Sequence, residues 1–386
     1  MAVKLFSKQM EKPREFLASK FVDIMKKNNW TAKLYAPRDI DEYIDLILSE
    51  YGDTVDTSKP EYIKWQYHDN PAGEACMYLS IADNKIVGAY SILPIGLIID
   101  GEETLGSVSV NTLTHKDYRG VNKRIFTTLA EITYNYAFKD RGIKNVYGVP
   151  NQNSYLGFTK ILGFKDIGYM DLLIKINNLG NILRLKNRFV PVRLFNLVSK
   201  IFRANIKLNK TRDDNLHIKT IDRFDDRFDE FWNENKGLFS NFVARTKEYL
   251  NWRYVDNHVR RYEIFSANDN TGKIRGYIVC RQTEIKGIKT GLIGDLLVAQ
   301  NDVDVTDLLI KQAQDYFYQE DVDMFGVLMF NHIPYYKVFL KNGFLKCPKM
   351  FEPQPFPMIV RSLDEKDKRI YDKENWYLTM GDYDVF

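Results

Sequence analysis

The residues best placed to do chemistry are the run Asp117-Tyr118-Arg119-Gly120-Val121-Asn122-Lys123-Arg124. It joins a strand-like segment, 108–114, to an amphipathic helical pattern over 125–138 with Ile125, Phe126, Leu129, Ile132 and Tyr136 on one face. A strand–loop–helix junction aims the unpaired amides of the first helical turn at one spot, and the helix dipole adds positive potential there. Gly120 lets the backbone approach an anion closely, and Arg119, Lys123 and Arg124 add full charges beside it. The chemistry this implies is phosphate binding; the alternative is a solvated basic turn. His115 stands at the mouth of the loop, where a neutral imidazole can take a proton near physiological pH. Its other reading is a polar loop residue or a phosphate neighbour. Asn111, Asn151, Asn153 and Ser154 lie at strand ends facing the same cleft and can orient a ligand by hydrogen bonds.

The elements that must position these residues occur twice. Tyr62-Ile63-Lys64-Trp65-Gln66-Tyr67-His68-Asp69-Asn70 returns as Tyr249-Leu250-Asn251-Trp252-Arg253-Tyr254-Val255-Asp256-Asn257. A second echo, Ser154 to Gly163-Phe164 against Pro334 to Gly343-Phe344, follows at nearly the same separation. Around the first copy the pattern predicts a strand at 32–35, a helix from Pro37, and the repeat helix. Strands follow at 77–82, 86–93, 96–99 and 108–114, then a helix at 125–138, a strand at 145–149, a helix at 155–162 and a strand at 169–176. Asp100-Gly101 signals a hairpin. The order returns from about residue 229 to the end of the second copy. The expected division is a first domain over 1–176, a basic linker over 177–215, a second domain over 216–362 and a tail over 363–386. The linker segment 177–212 holds nine Lys or Arg and no Asp or Glu. It reads as a packed connector, a peripheral membrane helix, or a contact for a nucleotide diphosphate or tRNA. Trp65 and Trp252, present in both copies, read as core.

Bulk composition excludes several classes. A net charge of only +4 argues against a general polyanion or DNA binder. Cys76, Cys280 and Cys347 are widely spaced, without metal-ligand spacing, and read as reduced thiols of a cytoplasmic protein. The apolar stretch 89–99 contains Pro94 and is too short for a transmembrane span. The charged N-terminus lacks a signal-peptide core.

This order of strands and helices, the Asp117-Tyr118-Arg119-Gly120 loop and the Gly163-Phe164 and Gly343-Phe344 endings resemble the GNAT superfamily of acyl-CoA-dependent N-acyltransferases. The resemblance implies an α/β (α+β) fold of two tandem GNAT-like domains, each a mixed, mostly antiparallel sheet flanked by helices. It also implies acyl-CoA as co-substrate and no metal. The pyrophosphate would lie on Arg119, Gly120, Val121, Asn122, Lys123 and Arg124, with Leu113 and Asn153 along the thioester. A bulge within 110–113 would expose an amide to the thioester carbonyl. The family's usual Glu base and Tyr acid are missing here: the strand has no carboxylate, and Thr159 holds the usual Tyr position. His115 and Tyr155 are the substitutes, with Tyr155 alternatively a repeat-core aromatic like Tyr335.

The tandem arrangement and the tail Glu374-Asn375-Trp376-Tyr377-Leu378-Thr379-Met380-Gly381-Asp382 resemble bacterial enzymes that acylate nucleotide-linked amino sugars for surface polysaccharides. On that resemblance Asn111, Asn151, Ser154, His332, Trp376 and Asp382 would bind the acceptor. Tandem GNAT-like aminoacyl-tRNA-dependent peptidoglycan enzymes and a non-catalytic binding module are the other implied functions. The second copy's junction, Gln300 to Asp307, has no glycine, no basic residue and three aspartates up to Asp307, so CoA is expected in the first domain alone.

Overall fold

The computed structural model describes residues 19–53, 55–120, 123–186, 215–364 and 368–383. The first half contains α1 (Ser19–Lys27), β1 (Thr31–Leu34), α2 (Ile40–Tyr51), α3 (Pro60–Tyr67), β2 (Cys76–Ala82), β3 (Lys85–Ile99) and β4 (Glu102–Thr114). It continues with α4 (Ile125–Arg141), β5 (Asn145–Gly148), α5 (Gln152–Leu156), β6 (Lys165–Tyr169), β7 (Asp171–Ile176) and α6 (Leu179–Lys186). The second half runs β8 (Leu216–Thr220), α7 (Asp226–Asn235), β9 (Asn241–Val243), α8 (Lys247–Tyr254), β10 (Glu263–Asp269), β11 (Ile274–Ile285) and β12 (Ile288–Val298). It closes with α9 (Val303–Gln319), β13 (Met324–Met329), α10 (Pro334–Lys341), β14 (Leu345–Lys346), β15 (Pro357–Ser362) and β16 (Trp376–Tyr377).

The two expected strands at 86–93 and 96–99 are one, because Pro94 pairs with Ser107 without ending β3. The hairpin turns at Asp100 and Gly101, both at positive φ, as a tight two-residue connection requires.

Two sheets share one plan. The first is ordered β1-β2-β3-β4-β5-β15-β6 and the second β8-β10-β11-β12-β13-β7-β14. Within each path only one pair is parallel, β4 with β5 and β12 with β13. The expected strand at 169–176 breaks at Met170, and the two pieces part company. β6 stays in the first sheet, while β7 crosses to the second and pairs β13 and β14. β15 makes the reverse crossing and fills the same slot between β5 and β6. Each half therefore lends the other a strand.

The repeat helices meet face to face. Trp65 and Trp252 stack with centroids 5.0 Å apart, and each indole N–H donates to the other's backbone carbonyl, at 2.7 and 3.0 Å. A reciprocal contact of this kind is what a local two-fold produces. Both rings are buried, which makes them core, as read from the sequence. One continuous apolar core joins α2, α3 and one face of the first sheet to the second domain. A second core lies on the other face, under α1, α4 and α5. Cys76, Cys280 and Cys347 are buried and unpaired.

Candidate active site

The site is built on a strand that outruns its partner. The β4–β5 ladder stops at Val108 and Tyr147, yet β4 continues to Thr114, so the two strands diverge into a wedge. Within it Asn111 and Thr112 oppose the single residue Tyr90, a bulge at the place the resemblance implies. Asn111 takes φ +46°, the left-handed region that Asn tolerates. Its amide donates to Gln66 Oε1 at 2.6 Å and to the Tyr67 hydroxyl at 2.9 Å. Tyr67 also bonds Tyr43 at 3.1 Å and Ser91 at 3.3 Å. Burial raises the Tyr43 phenol well above its ordinary range, so it serves as a neutral hydrogen-bonding group. Gln66 and Tyr67 belong to the repeat segment that reads as core. The signal that could have marked them is the difference between copies, Gln66 against Arg253.

The basic loop is propped from three sides. Trp30 donates to the Lys123 carbonyl at 3.0 Å, the Tyr118 hydroxyl bonds Asp83, and Glu50 accepts from the Lys116 amide at 2.8 Å. Arg119 pairs with that same Glu50 and donates to the Thr114 carbonyl at 2.8 Å. Lys123 donates to the Asp117 carbonyl at 2.6 Å. Arg124, at φ +52°, is exposed and has no side-chain partner among the described residues. No side chain caps α4. Gly120 sits at φ +127°, a conformation that excludes other residues without strain. Val121 and Asn122 lie outside the described residues. Leu113 is buried beside the bulge, paired with Ala89.

Several of the expected site residues have partners of their own. His115 Nδ1 accepts the Asp117 amide N–H at 3.3 Å, which places the neutral ring's proton on Nε2. The Tyr155 hydroxyl donates to Asp166 at 2.5 Å, and this bond raises its pKa. Its proton is committed there. Asn151 caps α5, accepting from the amides of Asn153 and Ser154 at 3.0 and 3.1 Å, and the Ser154 hydroxyl turns back to Asn151 at 3.2 Å. Asn153 is exposed on that turn.

The tail is not a substrate wall. Trp376 is buried, its ring 5.9 Å from that of Tyr147 and its N–H bonded to the Ile370 carbonyl at 2.8 Å. Asp382 is buried against Arg245, at 2.8 Å, rather than aimed at a sugar. His332 Nε2 donates to the Trp376 carbonyl at 3.1 Å and anchors the tail. All three were expected at the acceptor, but the apolar core holds Trp376, the Arg245 guanidinium holds Asp382 and the Trp376 carbonyl holds His332.

The second wedge is closed. There the β12–β13 ladder stops at Ile293 and Val327. The Tyr335 hydroxyl accepts from the Val298 amide at 3.0 Å, and the Tyr377 hydroxyl bonds the Leu296 carbonyl. Asp302 caps α9 itself, accepting from the amides of Asp304 and Val305 at 2.9 and 3.2 Å. Behind the plug, Arg245 joins Asp295 and Asp382 with no solvent exposure. Burial opposes the Arg245 charge, but the two carboxylates more than offset it and raise its pKa. Burial pushes the Asp382 carboxyl up.

By sequence, neither a protein-family model nor a curated protein matches the chain. By structure it is similar to a tandem GNAT protein from the clavulanic acid biosynthesis pathway, at TM-score 0.55 and 14% identity over 88% of this chain and 100% of the other. The fold is that of a tandem GNAT protein. The same tandem GNAT architecture is similar to N-myristoyltransferase of Saccharomyces cerevisiae with bound myristoyl-CoA, at TM-score 0.58 and 13% identity, over 93% and 85% of the two chains. It is similar also to a GCN5-related N-acetyltransferase from Anabaena variabilis, at TM-score 0.57 and 12% identity, over 87% and 73%. Among the described residues of this tandem GNAT fold, no helix is long and apolar enough to cross a membrane, and no cluster of His, Cys, Asp or Glu could hold a metal ion.

Proposed function

We propose that the chain is an acyl-CoA-dependent N-acyltransferase that binds its thioester in the first domain alone. One observation carries the reading: the first junction joins its bulge to a glycine-bearing basic loop and an uncapped helix, whereas the second, although β12 is also bulged at Gly294, has no glycine or basic residue in its loop, a helix capped by Asp302 and a strand end bonded by Tyr335 and Tyr377. The pyrophosphate would meet the first turn of α4 with Arg124, Lys123 and the Gly120 backbone. The pantothenyl amides would run in the wedge, where diverging strands offer backbone groups to an extended chain. The thioester carbonyl would lie at the bulge. A neutral amine attacks that carbon, the N–C bond forms, the C–S bond breaks, and the thiolate leaves with the amine's proton passing through water. With the lone pair of His115 and the proton of Tyr155 both engaged, catalysis rests on positioning and on backbone donors.

The acceptor amine would approach beside Asn111, Gln66 and Tyr67. The acceptor class proposed is a nucleotide-linked amino sugar, supported by the sequence resemblance; the buried tail lends it nothing. The test is thiol release from acetyl-CoA and longer acyl-CoAs against a panel of nucleotide amino sugars. Turnover with one member supports the reading. CoA binding without turnover on any amine would leave a binding module instead.

A further inference from the structure

The edge of the second sheet carries an apolar and basic surface that the acyl-transfer reading does not use. The chain from Lys337 to Phe351 leaves α10, forms the edge strand β14 and ends in a short 3₁₀ turn at Lys349–Phe351. Along it Leu340 is 42%, Leu345 70%, Met350 81% and Phe351 55% exposed. Leu345 pairs directly with Ile174 of β7, so it shares a sheet face with Ile174 and with the exposed Ile176. Interleaved with these are Lys337, Lys341, Lys346 and Lys349, all exposed, and no carboxylate lies between 337 and 351. The acidic groups nearby are few and mostly engaged. Asp171 holds Lys346 at 2.6 Å, and Asp307, near Lys341, holds Lys311 at 2.6 Å. Glu352 follows the turn. Lys337 and Lys349 have no partner among the described residues.

Exposed large side chains gathered in one stretch mark an interaction surface rather than ordinary scatter. Exposed lysines interleaved with exposed apolar side chains complement a surface that is anionic outside and apolar beneath. We infer that this edge docks the protein on an anionic lipid bilayer, with Met350 and Leu345 entering the acyl boundary and Lys337, Lys341 and Lys349 on the headgroups. Pro348 fixes the backbone leading into the turn, so little ordering is lost on insertion.

The test is sedimentation of the full chain with vesicles of phosphatidylcholine alone and of an equal mixture with phosphatidylglycerol. Binding is expected to the mixed vesicles, to fall in high salt, and to weaken about tenfold or more in Lys337→Glu/Lys349→Glu. Leu345→Ser/Met350→Ser should lose binding at every salt concentration. Both double variants alter exposed positions, and thermal melts matching the parent would confirm their folding. Equal binding to neutral vesicles, no binding to either, or self-association abolished by Leu345→Ser/Met350→Ser without vesicle binding would each overturn the proposal.

Discussion

At the first junction β4 runs past its last pair with β5, and no described side chain bonds across the gap; at the second, Tyr335 and Tyr377 reach Val298 and Leu296. The repeat makes the contrast sharper. Tyr155 and Tyr335 occupy the same place, yet one turns to Asp166 and the other to the strand end. Tyr67 and Tyr254 are likewise equivalent, and each reaches a residue three before its strand's end, Asn111 in one copy and Asp295 in the other. Gln66 faces Asn111, whereas its counterpart Arg253 donates to the tail carbonyls of Gly381 and Tyr383 at 2.7 and 3.0 Å. Two similar scaffolds thus diverge at a handful of polar positions, and those positions separate a junction with no described side-chain bond across it from one bonded by two tyrosines.

The largest expected effect lies in the plugged copy. Arg245→Met leaves Asp295 and Asp382 buried and uncompensated, which costs about 3–5 kcal/mol. The denaturation midpoint should fall accordingly, and adding Asp382→Asn should recover part of the loss. A midpoint equal to the parent's would mean that the tail is not latched there.

In the open copy, Arg124→Ala should weaken CoA by about 1.5–3 kcal/mol, the scale of a charged hydrogen bond. Arg119→Ala should cost less, because Glu50 already holds that guanidinium. Calorimetric titration checks the order, and a larger loss at Arg119 would reverse the assignment within the loop. Replacing Tyr377 by Phe removes the donor to the buried Leu296 carbonyl and should cost about 1–3 kcal/mol of stability with CoA affinity unchanged.

The smallest effect is a pH dependence. Burial lowers the His332 pKa from its ordinary 6.5, so the folded protein favours the neutral ring. The unfolded chain then binds the proton more readily, and stability falls as pH drops through 6.5 toward the lowered folded value. Above that window the contribution is complete. His332→Gln should flatten this part of the stability profile; an unchanged profile would place the titration elsewhere.

The repeat, the sheet-helix order and the hairpin at Asp100-Gly101 are legible because local patterns set them, whereas the bulge at Asn111 follows only from the family resemblance. The strand exchange is not legible. β6 and β7 read as one strand, since alternation along a chain carries no record of which sheet accepts it. The tail misled for a related reason. Trp376 and Asp382 are the residue types that bind sugars, but the same types close a core when an aromatic neighbour and an arginine are waiting. The groups that engage His115 and Tyr155, the Asp117 amide and Asp166, lie in short-range geometry that spacing alone does not reveal.

Titration of CoA into the full protein tests most directly whether each chain has a single open wedge. Gly148 lines the first wedge, where an added Cβ would stand 3.6 Å from that of Ser109 across the gap. Gly148→Leu should fill the space as Tyr335 and Tyr377 fill the other. One CoA per chain is expected, with binding abolished by Gly148→Leu and untouched by Asp302→Ala in the second domain. Two sites per chain, no binding by the parent, or affinity that follows Asp302 rather than Gly148 would contradict it.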